Sequence, residues 1–254
     1  RDNLLRLLVA TGSDIRVLII KLADRLHNLR TLSALSPEKQ KKIAKETLEI
    51  FAPLADRLNM GKLRVEMSDI AFSYVDPRRY EELKKIIETR NQSAEKALKK
   101  IKNEVSEALS KEKINFELNG RVKSVYSLHK KLAKYNQNIN EVYDLTALRV
   151  IVDDITSCYL VLGIIHSLYT PMTGRIKDYV AVPKQNGYQS LHTTVITPDK
   201  RIVEFQIRTK DMHEYAERGL AASFYYNEQK LTESYKTGKI QHLPTNLLWI
   251  SELQ

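Results

Sequence analysis

Apolar residues follow two different spacings along the chain. Up to about residue 111 they recur at steps of three and four, as at Leu22, Leu26 and Leu29, which places them on one face of a helix. After residue 113, short alternating or continuous apolar runs are separated by turn residues, which is typical of strands. The pattern predicts an α+β protein, with an all-helical N-terminal part followed by a mixed β-sheet flanked by helices.

Glycine, proline and capping residues set the ends of the predicted elements. Ser36 precedes Pro37 as a helix cap, and Asp76-Pro77 opens a long exposed helix, or a pair of helices, rich in lysine and glutamate. The predicted helices cover residues 4–35 (broken at 12–14, with Asp14 as the second cap), 36–58, 61 onward, 76–111, 123–135, 156–169 and 211–226. The predicted strands cover 114–122 (interrupted at Asn119-Gly120), 145–152, 189–197 and 201–208, with a hairpin turn at 197–200.

The balance of charge indicates the kind of partner. Lysine and arginine number 41 and aspartate and glutamate 31 among 254 residues, which gives a formal net charge of +10. This excess favours an anionic partner, a class that includes nucleotides, RNA and an acidic protein surface. The one cysteine, Cys158, excludes an internal disulfide and a cysteine-rich zinc site, and it lies among apolar residues as a core residue would.

Neither a membrane span nor a signal peptide is predicted. No apolar run reaches the length of a bilayer crossing, and the N-terminus lacks an apolar signal segment, so we expect a cytosolic protein without a membrane partner. Because Arg1 already lies within a helical pattern, we also expect that the chain is a piece of a longer protein.

The segment 174–194 concentrates residues suited to nucleotide chemistry. Two glycines permit tight turns, and Tyr188 offers a face on which a base could stack. Its cations, which could reach phosphate oxygens, are Arg175, Lys177 and Lys184. A solvated loop with scattered charge is the structural alternative.

Two carboxylates are candidates for binding a divalent metal. Glu204 lies in mid-strand on the same polar face as Gln206 and Arg208, and Asp144 stands at the entrance of another apolar strand. Carboxylates from neighbouring strands would hold Mg²⁺ through oxygen ligands and leave room for phosphate. The alternatives are a half-exposed sheet face around Glu204 and a strand-edge charge pair between Asp144 and Arg149.

Two other groups of polar residues allow both a functional and a structural interpretation. A strand, a glycine turn and a basic helix follow one another at 119–131, a shape that suits phosphate but equally fits a basic solvent-exposed face. Asp24, His27 and Asn28 project in nearby directions from one helix. They are too few for a metal site, so an ion pair or a cap is favoured.

Six segments carry a resemblance to a known family. They are KLADRLHNLRTL (21–32), ETLEIFAPLADRL (46–58), GRVKSVYSLHKKL (120–132), YDLTALRVIV (143–152), GRIKDYVAVPKQNGYQSLHTTV (174–195) and VEFQIRT with MHEYAERGLAA (203–222). Together they span nearly the whole chain and resemble the Rel/SpoT family of (p)ppGpp synthetases and hydrolases, the alarmone enzymes of the bacterial stringent response. The segment 174–195 is the most specific of them.

The resemblance implies a domain organisation and a reaction. The implied regions are a C-terminal remnant of an HD-type hydrolase domain (1–60), a helical linker (61–112), a synthetase domain with a nucleotidyltransferase-like mixed sheet (113–228) and a C-terminal tail (229–254). The implied reaction transfers pyrophosphate from ATP to the ribose 3′-hydroxyl of GDP or GTP. The resemblance leaves room for ribosome or RNA contact by the intact protein and gives no oligomeric state.

The same resemblance implies roles for individual residues. Asp144 and Glu204 would hold Mg²⁺, and Glu204 would be the general base for the 3′-hydroxyl. The implied ATP-binding residues are Arg121 and Arg149, which would sandwich the adenine, and Lys123, Ser127 and Lys131. The implied GDP- or GTP-binding residues are Tyr188, which would stack on the guanine, and Arg175, Lys177, Lys184, Asn186 and His192.

The hydrolase site is implied to be incomplete. The family binds Mn²⁺ there through a histidine, a His-Asp pair and a later aspartate; Asp24 matches the last of these and Asn28 a nearby asparagine. The other ligands have no counterpart here, so we expect no hydrolysis from this chain. The chain also departs from the family at Asp56 and Asn59, where histidine and glycine are usual, and at Ser223-Phe224, where histidine and tryptophan are usual.

A catalytically silent binding module is the alternative to an enzyme. In that case the basic charge would serve RNA or a ribosomal surface, and nucleotide pockets would act as sensors. Two acids inside a basic cleft argue against it, because without a metal they would repel phosphate.

Overall fold

Contacts between residues divide the described part of the chain into two compact units. The computed structural model describes residues 15–121, 124–134, 136 and 147–219. The described residues of the first unit are 15–75, 185–187 and 214–219, and those of the second lie within 76–184 and 188–213. Within these residues, no helix is long and apolar enough to cross a bilayer.

The first unit is built from short helices around a core of its own. Its elements are α1 (Ile15–Arg30), a 3-10 turn (Leu32–Ala34), α2 (Pro37–Glu46), a π turn (Thr47–Phe51), α3 (Ala52–Arg57) and α4 (Gly61–Val75). The helical periodicity of α1 buries one row of leucines, which are Leu18, Leu22, Leu26 and Leu29. Met67 and Ala71 of α4 are buried in the same core.

The predicted helix over 36–58 is confirmed, with one local difference. A π turn interrupts it at Thr47–Phe51, which ends two residues before Pro53. Proline has no N–H to donate and its ring clashes with the carbonyl four residues earlier, so the helix widens there. Ser36 lies at the predicted cap position, but its side chain makes no cap hydrogen bond.

The second unit contains the sheet. Its elements are α5 (Pro77–Lys111), β1 (Phe116–Arg121), α6 (Val125–Lys134), β2 (Ala147–Val152), α7 (Ile155–Leu168), β3 (Thr170–Pro171), β4 (Lys177–Asp178), β5 (Leu191–Ile196) and β6 (Ile202–Thr209), after which α8 (Lys210–Arg218) begins. The described strands form one sheet in the order β1-β2-β6-β5-β3, with β4 also paired to β5. β2 and β6 are parallel and the other pairs are antiparallel. The predicted fold class, a helical part followed by a mixed sheet with helices, is confirmed.

The two faces of the sheet differ in chemistry, because side chains alternate along each strand. One face is apolar and carries Leu148, Val150, Phe205 and Ile207, all fully buried. It shares a core with Cys158, Val161 and Ile165 of α7 and with Ile101, Val105 and Leu109 of α5. The other face carries the polar residues of the candidate site.

Two predictions about this unit need correction, and several other predictions fall outside the described residues. β1 runs through Asn119 and Gly120 without the predicted interruption, because both pair with β2. The half-exposed sheet face offered as an alternative is wrong for Gln206 and Arg208, which are each only 1% exposed. Asp14, Lys123, Asp144, Ser223-Phe224 and the helix beyond residue 219 lie outside the described residues.

Candidate active site

Strand register brings the predicted site residues into two adjacent rows on the polar face. The first row consists of Arg121 on β1, Ala147 on β2, Glu204 on β6 and Thr194 on β5, each opposite the next. The second row runs across five strands and consists of Asn119, Arg149, Gln206, His192 and Lys177. Residues two positions apart on a strand share a face, so both rows lie on the same side of the sheet. The fold therefore gathers Arg149, Glu204, His192 and Lys177, which are far apart in the sequence.

Glu204 is held by two hydrogen-bonding side chains of neighbouring positions. His192 Nδ1 lies 3.0 Å from Glu204 Oε1, and Gln206 Nε2 donates to the same oxygen at 3.4 Å. The Glu204 and His192 side chains are each 15% exposed. A carboxylate kept partly out of water and oriented by donors at one oxygen is suited to accept a proton or bind a cation.

Metal binding at Glu204 would need a ligand from elsewhere in the chain. Within the described ranges, no three His, Cys, Asp or Glu side chains come together as a metal-binding group. Asp144, the predicted second carboxylate, precedes β2 by three residues and lies outside the described residues. β2 is the parallel neighbour of β6, and its first residue, Ala147, is opposite Glu204.

Aromatic rings surround His192 next to this carboxylate. The Tyr188 hydroxyl lies 2.9 Å from His192 Nε2, and the Tyr179 ring meets His192 edge-on with centroids 5.4 Å apart. Lys184 Nζ lies 4.7 Å from the centroids of both tyrosine rings. Arg208 Cζ lies 5.9 Å from the Tyr188 centroid. Cations above an aromatic face are attracted by its negative quadrupole, so the described cluster already pairs Tyr188 with positive charge.

Asp178 fixes the turn that carries Tyr179. Its Oδ1 accepts hydrogen bonds from the backbone N–H groups of Val180 and Ala181, at 2.9 and 2.8 Å, and its Oδ2 accepts one from Tyr159 at 2.9 Å. Partial burial alone would raise the pKa of Asp178, but these three hydrogen bonds lower it below the usual value. Asp178 therefore stays ionised and keeps the turn closed at neutral pH.

On the side of β1 and α6, a serine caps the helix that carries two predicted ATP-binding residues. Ser124 Oγ accepts a hydrogen bond from the Ser127 backbone N–H at 3.2 Å and donates to Ser127 Oγ at 2.7 Å. Ser127 thus lies in the first turn of α6, where unpaired N–H groups favour anions. Lys131, one turn later, is half-buried. Arg149 is half-buried in the second row of the sheet face.

The predicted acceptor-binding residues are not all in one place. Arg175 and Lys177 are exposed, and Lys177 is brought next to His192 by the pairing of β4 with β5. Asn186 belongs to the first unit, where its Nδ2 donates to the Asp56 backbone carbonyl at 2.8 Å.

The two residual hydrolase positions lie on the exposed side of α1. Asn28 Nδ2 donates to Asp24 Oδ2 at 3.3 Å, and both side chains are exposed. The sequence favours an ion pair or a cap here, whereas the described contact is a hydrogen bond between an amide and a carboxylate. Nearby, the Arg25 guanidinium lies 4.0 Å from the Phe51 ring centroid and pairs with Glu46 at 3.0 Å.

Sequence reasoning overlooked three residues of the described cluster. Gln206 and Arg208 were assigned to an ordinary sheet face, although both are buried, and Tyr179 was given no role. The alternation of Glu204, Gln206 and Arg208 was the available clue, since three polar residues in mid-strand need partners if that face is covered.

Two family models match this chain. The model of a region found in RelA and SpoT proteins matches residues 120–231, and the model of an HD domain matches residues 1–61. Curated relatives cover nearly the whole chain. The bifunctional (p)ppGpp synthase/hydrolase RelA of Mycobacterium tuberculosis is 42% identical over 229 residues, which are 90% of this chain and 31% of that protein.

Two other relatives show similar identity and coverage. The GTP pyrophosphokinase of Streptomyces antibioticus is 42% identical over 261 residues, covering 99% of this chain and 31% of that protein. The bifunctional (p)ppGpp synthase/hydrolase SpoT of Escherichia coli is 41% identical over 251 residues, which are 99% of this chain and 36% of that protein. The chain thus spans about a third of the length of these relatives.

Solved structures show weaker likeness. The small alarmone synthetase 2 of Bacillus subtilis has a TM-score of 0.45 and 23% identity, covering 65% of this chain and 89% of that one. The small alarmone synthetase 1 of the same organism, bound to its product pppGpp, has a TM-score of 0.41 and 22% identity. The match covers 63% of this chain and 84% of that one. Scores of this size carry no conclusion about activity. The two family models and the relatives at 41–42% identity show that this chain belongs to the RelA/SpoT family.

Proposed function

We propose that this chain transfers pyrophosphate from ATP to the ribose 3′-hydroxyl of GDP or GTP. The observation that carries the proposal is Glu204, a half-buried carboxylate held at one oxygen by His192 and Gln206 and placed on a sheet face with Arg149 and Lys177. Phosphoryl-type transfer needs positioning, cations and a base for the attacking hydroxyl, and it needs little covalent chemistry from the protein. The sheet face that carries Glu204, Arg149 and Lys177 offers side chains suited to each of these needs.

In the proposed step, Glu204 takes the proton of the acceptor 3′-hydroxyl, and the oxygen of that hydroxyl attacks the β-phosphorus of ATP. The bond from that phosphorus to the α-phosphate oxygen breaks, AMP leaves, and the β- and γ-phosphates end on the ribose. Arg149 and Lys177 lie in the row next to Glu204 and would attract the phosphate oxygens.

The two substrates would lie on either side of Glu204. We assign ATP to the β1 and α6 side, with Arg121 and Arg149 on the adenine and Lys123, Ser127 and Lys131 on the phosphates. We assign the acceptor to the β4 and β5 side, with Tyr188 on the guanine and Arg175, Lys177 and Lys184 around it. Lys184 Nζ lies over the Tyr188 ring, so Lys184 would have to leave the ring face for a base to stack there.

Mg²⁺ is part of the proposal, with Asp144 and Glu204 as its ligands. Glu204 is suited to this role, because it offers carboxylate oxygen in a partly dry site and Mg²⁺ prefers such ligands. When bound, the ion would neutralise phosphate charge and polarise the phosphoryl group. The proposal further includes a cytosolic location.

The test is replacement of Glu204 by glutamine. Labelled ATP incubated with GDP or GTP and Mg²⁺ should yield a labelled tetra- or pentaphosphate on thin-layer chromatography. Glu204→Gln keeps the shape and the hydrogen-bonding positions but cannot take a proton, so we expect turnover to fall by about 10²- to 10⁴-fold. Nucleotide binding, measured by calorimetry, should persist.

The matched control is Glu117→Gln, which changes an exposed glutamate on β1, two strands away in the same sheet. It should leave the rate unchanged. Wild-type turnover by Glu204→Gln would contradict the proposed base. If the unaltered chain forms no product but binds RNA tightly, the catalytically silent binding module is the better description.

A further inference from the structure

Three side chains form a hydrogen-bonded chain from the aromatic cluster to Glu204. The Tyr188 hydroxyl lies 2.9 Å from His192 Nε2, and His192 Nδ1 lies 3.0 Å from Glu204 Oε1. An ionised carboxylate only accepts, so Nδ1 carries the proton toward Glu204. In the neutral ring Nε2 is then the acceptor, and the tyrosine hydroxyl donates to it. Both ring nitrogens of His192 are thus engaged by protein groups.

We infer that His192 is a positioning residue for Glu204, and that it couples the orientation of this carboxylate to Tyr188. This inference rests on the proposed function. It replaces the role implied by resemblance, in which His192 lines the acceptor and its phosphates. In the described arrangement, a phosphate could bind a ring nitrogen only by displacing Tyr188 or Glu204.

A second contact and the packing of the ring support the same role. Tyr179 meets the imidazole edge-on at 87°, which restrains the plane of the ring. Gln206 Nε2 approaches the same oxygen of Glu204 as His192 does. Two donors at Oε1 restrict rotation of the carboxylate, which is the effect expected of positioning residues.

The consequence is a link between acceptor binding and the base. The guanine is proposed to stack on the Tyr188 ring. The phenol hydroxyl of Tyr188 is linked by hydrogen bonds through His192 to Glu204. Glu204 in turn is the proposed base for the ribose 3′-hydroxyl of the same nucleotide. A base that stacks on Tyr188 would fix the phenol, and the hydrogen bonds would transmit that position to Glu204. Preorganising the reacting group in this way raises turnover more than affinity.

Steady-state kinetics distinguish positioning from direct binding. His192→Ala should lower kcat by about 10- to 100-fold, the usual effect of removing a partner that orients an active-site ligand, with the KM for GDP nearly unchanged. His192→Gln, whose amide can still donate to Glu204, should recover part of the lost kcat. A raised KM with kcat retained would overturn the inference, because a group that binds substrate and transition state equally behaves in that way.

A matched control is His166 of α7, which contacts Thr193 on the opposite face of β5. His166 Nε2 is 2.8 Å from Thr193 Oγ1, also half-buried, and His166 has no proposed part in the site. His166→Ala should change the melting temperature without changing the ratio of kcat to KM. If it lowers kcat as much as His192→Ala does, the effect is general loss of packing and the inference fails.

A double-mutant cycle tests the coupling to Tyr188. Tyr188→Phe keeps the ring for stacking and removes only the hydroxyl, so it should lower kcat less than His192→Ala and leave the KM for GDP unchanged. In the His192→Ala background the same change should have no further effect, because the hydroxyl acts through the imidazole. Additive losses in the double variant would contradict the coupling.

A spectroscopic measurement makes the inference independent of turnover. In the full chain labelled with ¹⁵N-histidine, NMR should show His192 as the neutral tautomer protonated at Nδ1, and Glu204→Ala should abolish that fixed tautomer. A His192 signal that averages the two tautomers in the unaltered chain would overturn the inference, whatever the activity. Absence of pyrophosphate transfer alongside a fixed Nδ1–H tautomer would instead refute the proposed function and leave the hydrogen-bonded chain established.

Discussion

Asn59 has a backbone conformation that few side chains tolerate. It ends α3 with φ of 54°, in the left-handed region, and it is only 5% exposed. Its Nδ2 donates to the Tyr215 backbone carbonyl at 3.1 Å, a contact within the first unit. The resembling family usually has glycine here, which adopts this conformation without strain. Asparagine is the next best choice, and it adds a hydrogen bond that glycine lacks.

Replacement of Asn59 should separate these two contributions. Asn59→Ala combines the left-handed strain of a β-carbon with loss of the hydrogen bond, so we expect the free energy of unfolding to fall by about 2 kcal/mol. Asn59→Gly loses only the hydrogen bond and should cost about 1 kcal/mol or less. Denaturant unfolding measures both, and equal costs for the two variants would show that backbone strain plays no part.

Single residues also show where sequence reasoning ends. Glu204 and Tyr188 were identified from motif and chemistry, because a carboxylate in mid-strand and a tyrosine in a basic loop stand out in a printed sequence. The burial of Gln206 and Arg208 could not be derived, since alternation gives the face of a side chain and not what covers it. The link from Tyr188 through His192 to Glu204 depends on strand register, which the sequence does not state.

Among the elements, the two aspartates after β2 join three pieces of the second unit. Asp154 caps α7 by accepting from the Ser157 backbone N–H at 2.8 Å and from the Ser157 hydroxyl at 2.9 Å. Asp153 accepts from Asn115 at 2.8 Å, just before β1, and from Lys210 at 2.7 Å, at the start of α8. Hydrogen bonds to the ionised forms lower the pKa of both carboxyls.

These aspartates predict an acid-sensitive stability. A carboxyl whose pKa is lower in the folded chain stabilises it above the unfolded pKa, and that stability is lost as pH falls through the folded pKa. We therefore expect the melting temperature to decline below about pH 4, where an unfolded aspartate begins to bind its proton. Asp154→Ala should lower the melting temperature at pH 7 and make its decline between pH 5 and pH 3 shallower. An unchanged slope would show that the cap does not contribute.

Element boundaries followed from sequence where caps and prolines mark them. Asp76-Pro77 predicted the start of α5, and the structure has α5 at Pro77–Lys111, with Asp76 accepting from the Arg79 N–H at 3.0 Å. The π turn before Pro53 and the two-residue strands β3 and β4 were not predicted. Short strands gain their hydrogen bonds from partners distant in sequence, so periodicity over two residues cannot indicate them.

At the scale of the whole chain, the net charge of +10 and the polar sheet face point to the same class of ligand. Charge alone left nucleotides, RNA and acidic proteins open. The register of the five strands narrows this choice, because it sets Arg149 and Lys177 in one row with Gln206 and His192, and next to Glu204. A carboxylate on the same sheet face as these cations has a use in the proposed transfer at phosphate, whereas passive polyanion binding has none for it.

Two separate cores predict two unfolding transitions. The first unit is packed around the leucines of α1, and the second around the apolar sheet face. Asn59→Ala changes a contact of the first unit only. Tyr169→Phe changes only the second, where the buried Tyr169 hydroxyl donates to Glu104 at 2.6 Å and joins the end of α7 to α5. Losing this hydrogen bond should cost about 1 kcal/mol.

Differential scanning calorimetry of the full chain with each variant tests this. Each substitution should lower the midpoint of one transition by roughly 4–8 °C per kcal/mol, the usual relation for domains of this size, and leave the other transition in place. Tyr159→Phe is the matched control in the second unit, because its hydroxyl bonds Asp178 at the exposed surface and its loss should move the midpoint less. A single transition that both Asn59→Ala and Tyr169→Phe shift equally would mean that the two cores unfold as one cooperative body.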